Sequence, residues 1–429
     1  MSIIIRNGRL VDPKNGVDEK IDIFIDKGKV QKTGKNLKDK AGTEIDAEGK
    51  IVAPGLVDMH THLREPGRED KETIETGARA AIAGGFTTVC AMPNTEPPCD
   101  TRALAEYIIE KAERTKLATV LPIGAITKGR KSEQLTEMAE LREAGCAAFS
   151  DDGDSVKSAA LMRRALEYAS MLGALVISHC EDRDLAGDGV MNEGYWSTLL
   201  GMKPIPREAE SLIVERDVCL AERADARLHI AHISTAESVE IVRRAKKQGL
   251  KISAEVTPHH FSLTDAELKS YDTAFKVNPP LRTEKDILAL KKGLKDGTID
   301  VIATDHAPHL ENEKEMEFDH APFGMTALET ALSLSVENLL TEGLLDWPGL
   351  IRLLSVNPCR LLGYGRGSLE EGAVADVVVI DPSAKWVYEK EKVFSKATNS
   401  PFLGKKMTAR VTDVIVSGRE TLRNGQMKY

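Results

Sequence analysis

The order of residues predicts an α/β chain: a closed (β/α)8, TIM-like barrel with a small β-sandwich domain built from both termini. Three observations carry this expectation. Eight short apolar runs alternate with longer amphipathic stretches through the middle of the chain. Polar residues gather at the C-terminal ends of those runs instead of scattering along them. Both chain ends read as strands and turns too poor in apolar residues to fold alone, so each needs a partner.

Taken in order, Ile3-Ile4-Ile5 runs into an Asn7-Gly8 turn, and an isoleucine-rich run over 21–26 stops at Lys27-Gly28. Both are strand-then-turn signals. The far end repeats the style, with strand-like runs over 375–382 and 411–418 and a second Asn-Gly turn at Asn424-Gly425. Pairing the two ends into one β domain buries both. The expected division is 1–54 and 356–429 for the two parts of that domain, with 55–355 for the barrel.

Between them the predicted strands are 56–62, 87–94, 118–126, 146–152, 174–182, 227–234, 251–260 and 300–308. Helix-period segments over 72–83, 101–114, 157–172, 208–223 and 236–248 separate most of them. Strands rich in Val, Ile and Ala with helical connections pair in parallel and are covered on both faces. An open doubly wound sheet is the alternative, disfavoured because no GxGxxG follows an early strand.

Composition narrows the function. At 429 residues the chain exceeds one ordinary core, and a barrel absorbs about 250 residues as one unit. A net charge of −9, spread along the chain, argues against nucleic-acid binding, which needs a basic stripe. No leader-like segment opens the sequence, and no run approaches the roughly 18 apolar residues of a membrane span. A cytoplasmic protein with a small-molecule substrate and no membrane partner is expected. The six cysteines form no CxxC pair and read as reduced thiols.

Chemistry enters at Asp58-Met59-His60-Thr61-His62. On a strand, residues i and i+2 point the same way, so His60 and His62 can converge on one metal ion. Further strand ends supply His179, His232 and Asp305. Strand ends at the C-terminal face are where such barrels build their sites. Four histidines and two aspartates exceed the needs of one catalytic zinc, which takes three protein ligands. Two Zn2+ ions about 3.5–4 Å apart would use the surplus and require a bridging anion. Phe149-Ser150-Asp151-Asp152-Gly153 ends the fourth run; Asp152 is the chosen bridge and Asp151 the alternative, which strand parity leaves open. His229, three residues before His232, has opposite parity and is expected to face the helices as a structural residue. His306 and His320 receive the same bland reading, and His259 and His260 have no assigned role.

The string Val52-Ala53-Pro54-Gly55-Leu56-Val57-Asp58-Met59-His60-Thr61-His62 resembles the opening motif of the amidohydrolase superfamily. Leu63-Arg64-Glu65-Pro66-Gly67, Ala91-Met92-Pro93-Asn94-Thr95, His179-Cys180-Glu181-Asp182, Val277-Asn278-Pro279-Pro280-Leu281-Arg282 and Ala303-Thr304-Asp305-His306-Ala307-Pro308-His309 resemble class I dihydroorotases. The similarity spans essentially the whole chain. Many members of the superfamily bridge their metals with a carboxylated lysine on the fourth strand, where this chain has Phe-Ser-Asp-Asp-Gly. The resemblance implies that His60, His62 and Asp305 hold one zinc, that His179 and His232 hold a second, and that Asp152 bridges. It implies reversible cyclisation of N-carbamoyl-L-aspartate to dihydroorotate by a zinc-activated hydroxide, with Asp305 as general acid and base.

A substrate carboxylate suits the planar guanidinium of Arg64, the rival reading being a surface salt bridge to Glu65 or Glu69. Resemblance adds Asn94 and His309 as carboxylate partners, Asn278 as a substrate contact, and Phe323 and Gly324 as backbone contacts. The charged stretch 311–317 before them is read equally as a lid or as a solvated loop. Rival functions are another cyclic amidase, such as a hydantoinase or allantoinase, and a non-catalytic scaffold for aspartate transcarbamoylase. A homodimer and an association with aspartate transcarbamoylase are family-level expectations.

Overall fold

The computed structural model describes residues 2–428. Its centre is a sheet of eight parallel strands, the barrel of the expectation: Leu56–Thr61, Phe86–Ala91, Thr119–Ala125, Ala148–Ser150, Leu175–Ser178, Arg227–Ile230, Ile252–Val256 and Val301–Ile302. Neighbours pair in chain order, as in Val120 with Val89, Phe149 with Val176, Leu228 with Ile252, and Val256 with Ile302. The ring closes just past the eighth strand, where Thr61 bridges His306 and the His62 amide donates to the His306 carbonyl at 2.9 Å. The buried Asp58 carboxylate pins the seam by accepting from the amides of His60, at 3.0 Å, and Thr304, at 3.1 Å.

Alternation along these strands sorts their side chains into two layers. Met59, Cys90, Ile123, Ala148, Leu175, Ile177, Val301 and Ala303 fill the interior. Leu56, Phe86, Val89, Val120, Phe149, Val176, Leu228 and Ile230 face outward into the ring of helices. Each helix presents a matching stripe. Ala236–Lys247 starts at a Thr235 side chain that accepts from the Ser238 amide, buries Val239, Val242 and Ala245, and ends on basic residues that complement its dipole. The helices Ile74–Ala83, Arg102–Thr115, Ala159–Met171 and Glu208–Ala224 lie within about two residues of the expected spans. Met138–Glu143 and Glu284–Asp296 follow the third and seventh strands, and the helical stretch from Trp347 to Leu362 packs on the first and eighth.

Several strands are shorter than their apolar runs, the eighth most of all, with two residues against an expected nine. Past Ile302 the backbone leaves the extended region, Asp305 having φ 49°. The chain turns into the site there instead of continuing the ladder.

The two chain ends share a sandwich. One sheet orders Lys29–Gly34, Asp22–Asp26, Ile3–Arg6 and Thr43–Asp46. The other joins the N-terminal strands Val17–Lys20, Arg9–Asp12 and Ile51–Pro54 to the C-terminal strands Val377–Val387, Lys406–Val416, Arg419–Arg423 and Gln426–Met427. Ile51–Pro54 and Val377–Val387 are the junction, antiparallel with Val52 opposite Val379. Ile3, Ile5, Ile23, Ile25, Val377, Val379 and Ile415 fill the space between the sheets. Between this domain and the first barrel strand stands Gly55, where a side chain has no room because a Cβ would lie 2.1 Å from Thr87 Oγ1.

Candidate active site

The strand ends and the loops leaving them at one end of the barrel bring His60, His62, Asp152, His179, His232 and Asp305 together, all of them buried. His60 Nε2 lies 3.2 Å from Asp152 Oδ1 and 3.6 Å from Asp305 Oδ1. His62 Nε2 lies 2.9 Å from Asp305 Oδ1 and 3.5 Å from Asp152 Oδ2. On the other side of Asp152, Oδ1 is 3.6 Å from His232 Nε2 and 3.7 Å from His179 Nδ1, and those two imidazoles are 3.0 Å apart. The ligand-type atoms of His60, His62 and Asp305, and separately of His60, Asp152 and His232, all lie within 4.8 Å of one another.

Second partners decide which atoms are free. His60 Nδ1 donates to Glu255 Oε1 at 2.7 Å, and His62 Nδ1 to Asn94 Oδ1 at 2.8 Å. In that tautomer each Nε2 presents a lone pair toward a carboxylate oxygen, an arrangement that is repulsive unless a cation or proton sits between them. His60 Nε2, Asp152 Oδ1, His179 Nε2 and His232 Nδ1 are buried without hydrogen-bond partners. Burial works against a charged His60 ring, yet Asp152 and Glu255 carry its pKa well above the usual imidazole value. Burial likewise opposes ionised Asp152 and Asp305, and the surrounding imidazoles nevertheless hold both carboxyls well below the usual range. A dry cluster of ionised carboxylates and imidazole lone pairs fits a divalent cation, which would displace the proton otherwise held by His60.

The Asp151 carboxylate points elsewhere. It accepts from the amides of Ile126, at 2.9 Å, and Thr127, at 3.0 Å, and from the Thr127 hydroxyl, tying the fourth strand's end to the third. Of these two aspartates, Asp152 faces the imidazoles. His229 departs from the expectation: it faces the barrel interior, between outward Leu228 and Ile230, and bonds Ser253 Oγ at 2.8 Å and Glu255 Oε2 at 3.0 Å. Parity counting failed because the strand ends at Ile230 and His232 has φ 27°, so the alternation does not continue to it. His260 and His306 are structural, bonded to Thr257 and Pro279 and to Glu72 and the Ala327 amide respectively, and His320 is exposed.

Sequence reasoning missed Glu255, which joins His60 to His229 and is fully buried. The signal was present: it is the single charged residue inside the apolar run Ile252–Val256, and a buried carboxylate requires partners.

Beside the cluster opens a cavity of about 340 Å3. Its lining includes the expected Arg64, Asn94, Asn278, His309, Phe323 and Gly324, together with Gly153, Arg183, Ala307 and Pro322. Glu65 pairs with Lys111 at 3.0 Å and the Glu69 carboxylate accepts from the Gly67 amide, so neither is the partner of Arg64. Arg64 instead donates through Nε to the Pro308 carbonyl at 3.2 Å and brings Nη2 to 3.3 Å from His309 Nε2. Lys71 Nζ sits 3.2 Å from His309 Nδ1. Burial, with Arg64, Lys71 and Lys314 nearby, pushes the His309 pKa far below its usual value, so the ring is neutral. With Nδ1 accepting from Lys71, Nε2 carries the proton beside the Phe323 backbone, and the Arg64 guanidinium lies next to it. Asn278 donates to Glu181 Oε1 at 2.9 Å, which leaves its own carbonyl oxygen for the cavity.

A (β/α)8 barrel whose strand ends gather four imidazoles and two carboxylates beside a cavity lined by Arg64 and His309 defines a metal-dependent hydrolase of the amidohydrolase class. The profile of a family described as "Dihydro-orotase-like" matches residues 49–238. A protein of Geobacter sp. (strain M21) named dihydroorotase is 54% identical over 426 residues, covering 99% of this chain and 100% of the relative. One of Geobacter metallireducens with the same name is 52% identical over 420 residues, covering 98% and 99%. The chain belongs to the dihydroorotase family. The fold is shared with an L-hydantoinase (dihydropyrimidinase) from Arthrobacter aurescens, at a TM-score of 0.89 and 24% identity, covering 100% of this chain and 97% of that one. Among the described residues no helix is long and apolar enough to cross a membrane.

Proposed function

We propose that the site catalyses the reversible cyclisation of N-carbamoyl-L-aspartate to (S)-dihydroorotate with release of water, a step of de novo pyrimidine biosynthesis, in the cytoplasm. The observation that carries this reading is that one cavity is lined both by His62, Asp152 and Asp305 of the cluster and by Arg64 and His309. The first suits hydrolysis of an amide, the second a carboxylate on the same small ring.

His60, His62 and Asp305 would hold one Zn2+, His179 and His232 a second, with Asp152 between them. Such ions supply a Lewis acid and lower the pKa of water to about 7. The chain's own residues do the rest. Arg64, Asn94 and His309 fix the substrate carboxylate, Asn278 accepts from a ring N–H, and the backbone at Phe323 and Gly324 lines the ring. Asp305, 2.9 Å from His62 Nε2, takes the proton of the attacking water and returns it to the departing ring nitrogen. In the other direction it takes the proton of the attacking carbamoyl nitrogen and passes it to the departing hydroxide, which leaves as water. Glu255 and Asn94 hold the two imidazoles of the first strand in their working tautomers.

The reading includes the domain division 1–54, 55–355 and 356–429, supported by Ile51–Pro54 pairing with C-terminal strands while Leu56 opens the barrel. It also includes a homodimer and an association with aspartate transcarbamoylase, both from family resemblance, which sedimentation of the purified protein alone and with that enzyme tests.

The decisive experiment assays ring opening of dihydroorotate beside hydantoin and dihydrouracil, on protein whose metal content has been measured. Turnover confined to dihydroorotate, with KM raised by Arg64→Ala, is expected. Equal turnover of rings lacking a carboxylate, or an Arg64→Ala variant with unchanged KM, overturns the assignment.

A further inference from the structure

We propose that Lys276 and Lys314 are positioning residues for substrate binding: their buried ammonium groups set the pocket wall Pro322-Phe323-Gly324 by donating to main-chain carbonyls around it. This rests on the reading that the cavity takes the substrate.

The wall belongs to the segment 318–324, which no strand pairing holds, although Phe318 and Ala321 are buried. Buried carbonyls of an irregular segment need donors. Lys276, 2% exposed, donates through Nζ to the carbonyls of Phe318 at 2.6 Å and Asp319 at 3.2 Å. Lys314, 9% exposed, donates to those of Pro322 at 2.9 Å and Gly324 at 3.0 Å. Lys276 also accepts the Gly324 amide on its own carbonyl at 2.8 Å, and its ammonium lies 4.7 Å from the centre of the Phe323 ring. Burial lowers both ammonium pKa values, to about 8 for Lys276 and about 7 for Lys314. Two amines placed in a dry interior and spent on carbonyls are costly for stability alone, where apolar packing would serve.

Their placement reaches the anion-binding donors directly. Gly324 has φ 126°, and a Cβ on it would meet Ala307 Cβ at 2.7 Å and His309 Nε2 at 3.2 Å. The backbone of the wall therefore passes close to His309 Nε2, with no room for a side chain at Gly324. The same two lysines flank substrate-facing residues in sequence: Lys276 stands two residues before Asn278, and Lys314 five after His309. A small displacement of the wall would be felt at the carboxylate end of the substrate while leaving the cluster around Asp152 unchanged.

The test uses Lys276→Met and Lys314→Met, which come within one atom of the lysine side chain and remove the donors. KM for dihydroorotate is expected to rise about tenfold or more, with kcat within about threefold of the parent, and amides of 318–324 to exchange faster. Lys314→Gln, which retains two N–H donors, recovers part of the loss. Folded Met variants with parental KM overturn the proposal. Should the Met variants not fold, hydrogen exchange on the unaltered protein decides: protection across 318–324 rises on adding dihydroorotate, and an unchanged pattern overturns the proposal. Arg64→Ala separates the two levels. If it raises KM while the lysine variants do not, this inference alone falls; if all are silent, the substrate reading falls with it.

Discussion

Glu255→Gln isolates what a buried carboxylate contributes to a centre it does not touch. Glu255 Oε1 is 2.7 Å from His60 Nδ1 and Oε2 is 3.0 Å from His229 Nε2, in a fully buried setting. Burial opposes its ionisation, but His60 and His229 more than offset this and hold the carboxyl down at about 2. Glutamine preserves volume and one acceptor while removing the charge, and its amide group faces one ring with a donor where an acceptor stood. Adding the 2.7 Å contact, the width of the ring and a zinc–nitrogen bond of about 2.0 Å puts the carboxylate roughly 7 Å from a cation on Nε2. At an effective dielectric of about 20, that separation gives about 2.4 kcal/mol per unit of positive charge as an upper bound. Loss of comparable outer partners weakens metal binding about 10–100-fold, which is about 1.4–2.7 kcal/mol. The two routes agree in order of magnitude. The assay is dialysis against graded chelator with elemental analysis of retained metal, alongside thermal unfolding of the metal-free protein. The variant is expected to release metal at roughly 10–100-fold lower chelator strength, and its metal-free form to unfold at a lower temperature than the parent's, because the buried His60 and His229 rings lose their counter-charge. Equal retention of metal in variant and parent would refute the tautomer argument for His60 and with it the role given to Glu255.

Two further outcomes are expected. Asp305→Ala should bind metal weakly and unfold in one transition like the parent, while kcat drops about 10²–10⁴-fold; a near-parental rate at full metal occupancy removes Asp305 from the proton path. Burial raises the Glu329 carboxyl, which accepts from the Phe394 and Ser395 amides, from 4.5 to about 8. The folded protein thus keeps a proton that the unfolded chain releases, so this contribution is fully present below about 4.5 and declines as pH rises toward about 8. Glu329→Gln should flatten the melting temperature across that window, and an unaltered profile would show that the group titrates normally.

How far the amino-acid order reached can be judged residue by residue. Apolar alternation located eight strands because each barrel strand must bury both faces, and that demand is local. The i, i+2 spacing of His60 and His62 was legible for the same reason, as was the clustering of polar residues at strand ends. Where the backbone departs from regular geometry the local pattern stops informing. His229 was assigned to the wrong face because His232 lies beyond the strand, at positive φ. The two adjacent aspartates were indistinguishable until the amides of Ile126 and Thr127, supplied by a different strand, occupied Asp151 and left Asp152 to the imidazoles.

The charged stretch 311–317 was ambiguous between lid and solvated loop. Around it, Glu313 pairs with Lys71 at 2.9 Å and Lys314 turns inward to hold the wall. Periodicity encodes which face of an element meets apolar surroundings, and so by itself the chain determined the barrel, the split β domain and the positions of the candidate ligands. Which nitrogen of each imidazole is free, which carboxylate enters the cluster, and what fixes the pocket wall were decided by hydrogen bonds between residues far apart in the chain, as between His60 and Glu255 or Lys71 and His309. Those partners exist only once the ring of strands has closed.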